Sequence, residues 1–291
     1  MKKIMVVAVV LTVLGCSFLL AAQQKSAQAA VGDPAGTAAP EAAAPAIPAT
    51  PAVQAPAAGD SVAQAAMKKA ADAQKYLYLF VSENDSEETA TAKRTVEAAA
   101  TKVGDKADVA FIKKDSAAEK DIIEKLRLGG APMPIVLTMA PNGAITGAYF
   151  GEKLKDPQLQ DSIAGAGEQQ CMKTLQDGKL VFLCIQNGAT KSNDVAMQGV
   201  NDFKADTRFA EVTEIVKIDP ASASEQSFLA KLKIDPTTTE AITAFVAPPG
   251  SLISKVNGAT TKDALVASLK AATSGGCGGG ACKPGACGPK K

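Results

Sequence analysis

APMPIVLTMAPNGAITGAYFG, residues 131–151, reads as a Pro-rich loop, an apolar strand (135–139), a turn at Pro141-Asn142-Gly143 and a second strand (144–150) stopping on Gly151. Asn-Gly between two apolar runs is a strong hairpin signal and predicts a type I′ turn, in which both central residues take positive φ. Pro134 has no N–H to give to a ladder, which places it at the first position of its strand.

Upstream, residues 61–74 have helical spacing, and YLYLFV (76–81) is a continuous apolar run of the kind buried on both faces of a central strand. Asp85 followed by Glu88 reads as a capping-box start for a helix reaching about Lys102. A strand at 109–112, a helix at 116–128 and, after the hairpin, a helix at 157–164 complete the series. Strands alternating with helical periods indicate parallel pairing through crossovers.

The pattern then repeats. AMKKAADAQKYLYLFVSEN (66–84) matches CMKTLQDGKLVFLCIQN (171–187) once a gap is allowed, and FIKKDSAAEKDIIEKLRL (111–128) matches IVKIDPASASEQSFLAKLKI (215–234) with two residues inserted. Asn142-Gly143, eight residues before Gly151, corresponds to Pro249-Gly250, eight residues before Gly258. The chain therefore divides into an export segment (1–30), an Ala/Pro-rich linker (31–59), two copies of one domain (60–166 and 167–274) and a Gly/Cys-rich tail (275–291).

The order α-β-α-β-α-β-β-α, with Pro134 ahead of the hairpin, resembles the thioredoxin-like superfamily. The resemblance implies an α/β fold, two tandem domains each with a central mixed sheet flanked by helices. It also implies a cis Met133–Pro134 bond facing the site where active members carry CxxC. That site in the first copy is Ser82-Glu83-Asn84-Asp85-Ser86, a degenerate loop without cysteine. Glu83, Asp85, Glu87 and Glu88 stand there instead, and either cap the helix and complement its dipole or form an acidic rim for a cationic ligand. The second copy has NGATKSN (187–193) there, and Glu240 or Ala241 in place of the proline. The resemblance extends to fold and to no catalytic residue.

Composition narrows the chemistry. The chain has no His and no Trp, which removes Ser-His-Asp and Cys-His catalysis, imidazole metal sites and haem attachment. A net charge of +1 and 4% aromatic residues give no footing for nucleic acid. Cys171 lies on a helix and Cys184 on the strand after it, which the turn between them lays alongside, so one reading is a structural disulfide; otherwise Cys184 is an inert buried thiol. Cys277, Cys282 and Cys287 follow C-x4-C-x4-C among glycines and prolines. They suit a soft metal, Cu(I) in trigonal geometry or part of a zinc site, or exchange with a thiol partner; the plain alternative is a tail whose thiols oxidise to one another.

Lys2 and Lys3 before an apolar run (4–14) form an export signal. VLGC at 13–16 resembles a lipobox with Cys16 as the acylated residue; cleavage after Ala29 and an uncleaved anchor are the alternatives. Each places the body in the periplasm or cell envelope, anchored to the membrane in the first and third cases, where disulfides are permitted. Residues 31–59 carry repeated prolines and only Asp33 and Glu41 as charges, which predicts a disordered, partly polyproline tether. The expected function is a redox-inactive binding or scaffold protein whose tail binds a soft metal or an envelope thiol partner. The alternatives are a divergent thiol–disulfide oxidoreductase or disulfide chaperone using the tail, and a structural envelope spacer.

Overall fold

The computed structural model describes residues 61–274. The first half runs α1 (Val62–Asp72), β1 (Tyr76–Ser82), α2 (Glu87–Val103), β2 (Ala107–Lys113), α3 (Lys120–Lys125), β3 (Ile135–Met139), β4 (Ile145–Phe150) and α4 (Asp156–Asp161). The second repeats it as α5 (Ala166–Gln176), β5 (Leu180–Ile185), α6 (Asn193–Lys204), β6 (Thr213–Ile218), α7 (Gln226–Lys231), β7 (Ile242–Ala247), β8 (Ser251–Asn257) and α8 (Lys262–Ser274). The sheets have the orders β2-β1-β3-β4 and β6-β5-β7-β8. In each, the first pair is parallel and the other two are antiparallel. A βαβ unit followed by a hairpin and a helix, behind a leading helix, is the thioredoxin-like arrangement, and the chain contains it twice in tandem.

Alternation along the central strands sorts the core into two layers per domain. Leu77, Leu79 and Val81 pack with Ile122, Ile123 and Leu137 on the α1/α3 face, while Tyr76, Tyr78 and Phe80 pack with Val96, Val136 and Leu159 on the α2/α4 face. Every residue of β1 is buried, as its apolar run requires of a strand covered on both sides.

The structure corrects several local readings. The β3–β4 turn is not type I′: Gly143 has φ 80°, Asn142 is not left-handed, and Gly143 N–H donates to Ala140 O at 2.8 Å. Pro141 fixes its own φ near the type I value, so the loop becomes a type I turn followed by a left-handed glycine. Asn142 Oδ1 holds it by accepting from Ala144 N–H at 3.0 Å. The strand after the turn begins at Ile145, and the helix read at 157–164 ends at Asp161. Beyond it the chain is held by side chains: Tyr76 donates to Ala164 O (2.6 Å) and Thr146 to Ser162 O (2.8 Å).

The two repeats also register differently from the string matches. Left-handed Gln74 corresponds to Gly178, and Leu77 and Val181 hold the same ladder position, so Cys171 is the partner of Met67 and the helix–strand unit aligns without a gap. Ile112 and Ile218 share a ladder position, as do the left-handed Arg127 and Lys233. The inserted residues therefore lie before β6.

A buried carboxylate holds the foot of the leading helix in each domain. Glu119 is 2% exposed and accepts from Ser61 Oγ (2.7 Å), Val62 N–H (2.6 Å) and Ala63 N–H (3.3 Å), the open end of α1. Glu225, 5% exposed, accepts from Gly167 N–H (2.8 Å) at the open end of α5. First-turn N–H groups have no partner within their helix, and a carboxylate there also meets the positive end of the helix dipole. A Cβ at Gly165 would sit 2.4 Å from Glu225 Oε1, so the close approach requires glycine.

α5 serves both domains. Cys171 and Leu175 enter the second core, while Met172, on the neighbouring stripe, packs against the α2/α4 layer of the first. Gln176, one turn on, accepts from Ile145 N–H at 3.0 Å and donates to Ile145 O at 2.7 Å, pairing with the free edge of β4 as another strand would. The six-residue α4 is short beside the thirteen-residue α8 at the same place in the second domain, and the segment after it, with Met172, covers the remainder of that face.

Replacing Glu119 by Ala leaves three donors without their acceptor and is expected to cost about 3 kcal/mol or more, read as a lower urea midpoint. Gln176→Ala removes two exposed bonds and is expected to cost about 1 kcal/mol or less. It should also raise hydrogen exchange at the Ile145 amide.

Candidate functional site

β1 delivers the chain to the loop Ser82–Ser86 and then into α2. The N-cap is Ser86, not Asp85: Ser86 Oγ accepts from Thr89 N–H at 3.2 Å, and Asn84 Oδ1 accepts from Ser86 N–H at 3.2 Å. Asp85 is drawn away by an ion pair with Lys113, and Glu83 pairs with Lys114 at 2.5 Å. Half of the acidic rim is thus neutralised by the two lysines that end β2 and follow it. Glu87 and Glu88, in the first turn of α2, make no ion pair among the described residues. The loop is a self-capped helix start with no thiol in it.

Across from it the Met133–Pro134 peptide is cis and Pro134 is buried. Between α2 and the hairpin lies a groove of about 530 Å³, with Glu87, Glu88, Thr91 and Thr95 on one wall and Pro134 and Gly151 on the other. Phe150, 37% exposed, stands beside Gly151 with Lys153 Nζ 5.8 Å from its ring centre. The ladder between β1 and β3 ends at Val81–Ile135, and the backbone of Pro132 and Met133 makes no hydrogen bond among the described residues.

The second domain closes the same place. Ala241, immediately before β7, occupies the position of Pro134, which precedes β3. It has the N–H that proline lacks, and donates it to Lys191 O at 2.9 Å; Lys191 N–H donates to Thr239 O at 2.8 Å. Ser192, left-handed at φ 64°, donates from Oγ to Glu240 Oε2 at 2.9 Å. The loop after β5 is thereby tied at Lys191 to the loop before β7.

The structure excludes a Cys171–Cys184 bridge. Both cysteines are free and buried. Cys171 packs with Val181, Leu183 and Ile185 on one face of the second sheet, and Cys184 with Phe182, Phe203 and Phe245 on the other. Successive strand residues point to opposite faces, so the sheet itself separates the two sulfurs. Burial pushes both thiols up to about 12, with Glu168 adding to the rise at Cys171 and Lys217 opposing it at Cys184. Neither supplies a thiolate nucleophile at neutral pH. Cys16, Cys277, Cys282 and Cys287 lie outside the described residues.

Another hollow, about 470 Å³, sits between the end of α6 and the start of α8. Its Asp206 is bonded to Arg208 (2.8 Å) and Lys262 (2.7 Å), and these partners hold its carboxyl well below the usual range. Its charges tie helix ends together, which leaves the groove at Pro134 as the candidate site. Nothing in the sequence marks Thr91 and Thr95 as site residues, although Glu87, Thr91 and Thr95 share one helical stripe, and Gly151 reads there only as the end of a strand. The Lys191 bridge had no sequence signal, because it joins residues about fifty apart through backbone atoms alone.

No family model and no curated protein sequence matches the chain. Among solved structures it is similar to the NTD_N/C domain of alkylhydroperoxide reductase AhpF from Enterococcus faecalis, at 15% identity over 71% of this chain and 98% of that one, TM-score 0.25. The first two thioredoxin domains of Saccharomyces cerevisiae Eps1p match at 8% identity over 76% and 99%, TM-score 0.30, and human ERp44 at 9% over 70% and 53%, TM-score 0.30. Strand order and connections carry the fold assignment; these likenesses say nothing of activity.

In the folded protein Cys171 and Cys184 are expected to resist alkylation at neutral pH and to react after unfolding, which mass spectrometry of the alkylated chain would count. Their proton affinity also sets a pH trend. Thiols whose folded pKa is raised from 9.0 to about 12 stay protonated in the folded chain while the unfolded chain releases their protons. The associated stability is fully present below pH 9 and is lost as pH rises towards 12. Cys171→Ala/Cys184→Ala is expected to lessen that decline.

Proposed function

We propose that the chain is an exported, membrane-anchored binding or scaffold protein. Its tandem thioredoxin-like body performs no dithiol exchange, and its tail thiols, Cys277, Cys282 and Cys287, bind Cu(I) or exchange with a thiol partner in the cell envelope. The observation that carries this reading is the self-capped Ser86 helix start opposite cis-Pro134, where a dithiol would be needed. With Cys171 and Cys184 sealed in apolar layers, thiol chemistry falls to cysteines beyond the folded body. Three soft thiolates without any His favour Cu(I), which accepts trigonal sulfur coordination, over zinc, which takes four ligands. The signal at 1–30, with Cys16 as acylation site, supplies export and anchor, and residues 31–59 hold the body off the membrane surface.

The expected result is one Cu(I) retained per chain against a competing chromophoric chelator, and none in the Cys277→Ser/Cys282→Ser/Cys287→Ser chain. Equal retention by both would remove the metal reading. Insulin-disulfide reduction by the natural chain that vanishes in the triple variant would establish the oxidoreductase alternative instead.

A further inference from the structure

In the second domain one residue of the chain's own backbone, Lys191, bridges the cleft as in a parallel ladder, its N–H given to Thr239 O and its O accepting from Ala241 N–H. In the first domain Pro132 stands where Thr239 does, and its carbonyl has no hydrogen-bond partner among the described residues, beside a groove of about 530 Å³; Pro134, in the place of Ala241, has no N–H to give. The charge of that groove is also unbalanced. Glu83 and Asp85 are taken by Lys114 and Lys113, while Glu87 and Glu88 have no cation among the described residues. A segment filling it should be extended, small in side chain and basic.

The chain itself contains such a segment. Residues 275–291, GGCGGGACKPGACGPKK, carry three lysines, no acid and no side chain larger than Cys apart from Pro and Lys. Ala286–Lys291 begins twelve residues beyond Ser274, a reach of about 40 Å when extended. The radius of gyration of a body this size is about 17 Å, so the groove is within range.

We propose that Ala286–Lys291 docks in the groove of the first domain, with Lys290 and Lys291 against Glu87 and Glu88 and Cys287 beside Pro134. Docking returns a thiol to the place that Ser82–Ser86 leaves without one, and removes Cys287 from the tail's metal-binding set while it lasts. The tail is then a self-ligand whose release governs its thiols. This builds on the reading of the tail as the reactive part of the chain.

The test places a thiol in the groove. Thr91→Cys in the full-length chain, treated with oxidised glutathione as the two-electron acceptor, is expected to form a disulfide with Cys287. The rate should exceed that of Thr101→Cys, exposed on the same helix, by about tenfold or more, because docking raises the effective concentration. Adding Glu87→Lys and Glu88→Lys should remove the difference. Equal rates at the two positions, or linkage between chains that accelerates with protein concentration, would overturn the proposal. Cu(I) titration separates it from the reading beneath it. Cu(I) uptake with no positional preference overturns docking alone. Preferential linkage in a chain that takes up no Cu(I) supports docking and overturns the metal reading.

Discussion

The architecture depends on a carboxylate placed where a helix begins. Glu119 and Glu225 come from the turns before α3 and α7, some sixty residues from the helix each one holds, yet both are almost wholly buried against its first turn. A buried carboxylate is unfavourable unless it is hydrogen-bonded; the helix start gives Glu119 three donors and Glu225 one, at Oε1, while Glu225 Oε2 has no partner among the described residues. In the first domain this fixes α1 across the sheet. In the second it fixes α5, whose other stripe delivers Met172 and Gln176 to the first domain. The joint between domains thus begins with the same device that closes each one.

Duplication has left the two clefts in different states, and the residue before the third strand is one source of the difference. Pro134 has no N–H, so the first domain keeps only the carbonyl acceptor at Pro132 and lacks the donor that Ala241 gives to Lys191 O. Ala241 has one, and uses it to tie the loop after β5 across the opening. The first domain keeps a lined groove, while the second becomes a brace whose leading helix completes its neighbour. Neither retains a thiol at the helix start. Serine at position 86 supplies the cap that keeps the helix in register without it.

Much of this was legible in the chain. The run YLYLFV identified a doubly covered strand, Asn-Gly and Pro134 marked the hairpin, and the repeat exposed two domains because periodicity and turn chemistry are local properties. Where local cues competed, neighbours decided. Pro141 overruled the Asn-Gly preference, and Lys113 drew Asp85 away from the cap that Ser86 then took. Matching strings placed Met67 opposite Met172, whereas burial places it opposite Cys171, since core volume and ladder position constrain a duplicate more tightly than residue identity does.

By itself the sequence determined the order of elements, the duplication, the absence of a CxxC and of any histidine, and the isolation of three cysteines in a Gly/Pro-rich segment. These follow from composition and from spacing along the chain. Only the tertiary structure decided that Cys171 and Cys184 lie on opposite faces of a sheet, that two glutamates are buried helix caps, that Gln176 closes a strand edge, and that one cleft is open while its duplicate is bridged. Each of these joins residues distant in sequence through burial or a backbone bond, and no local propensity records which pairs will meet.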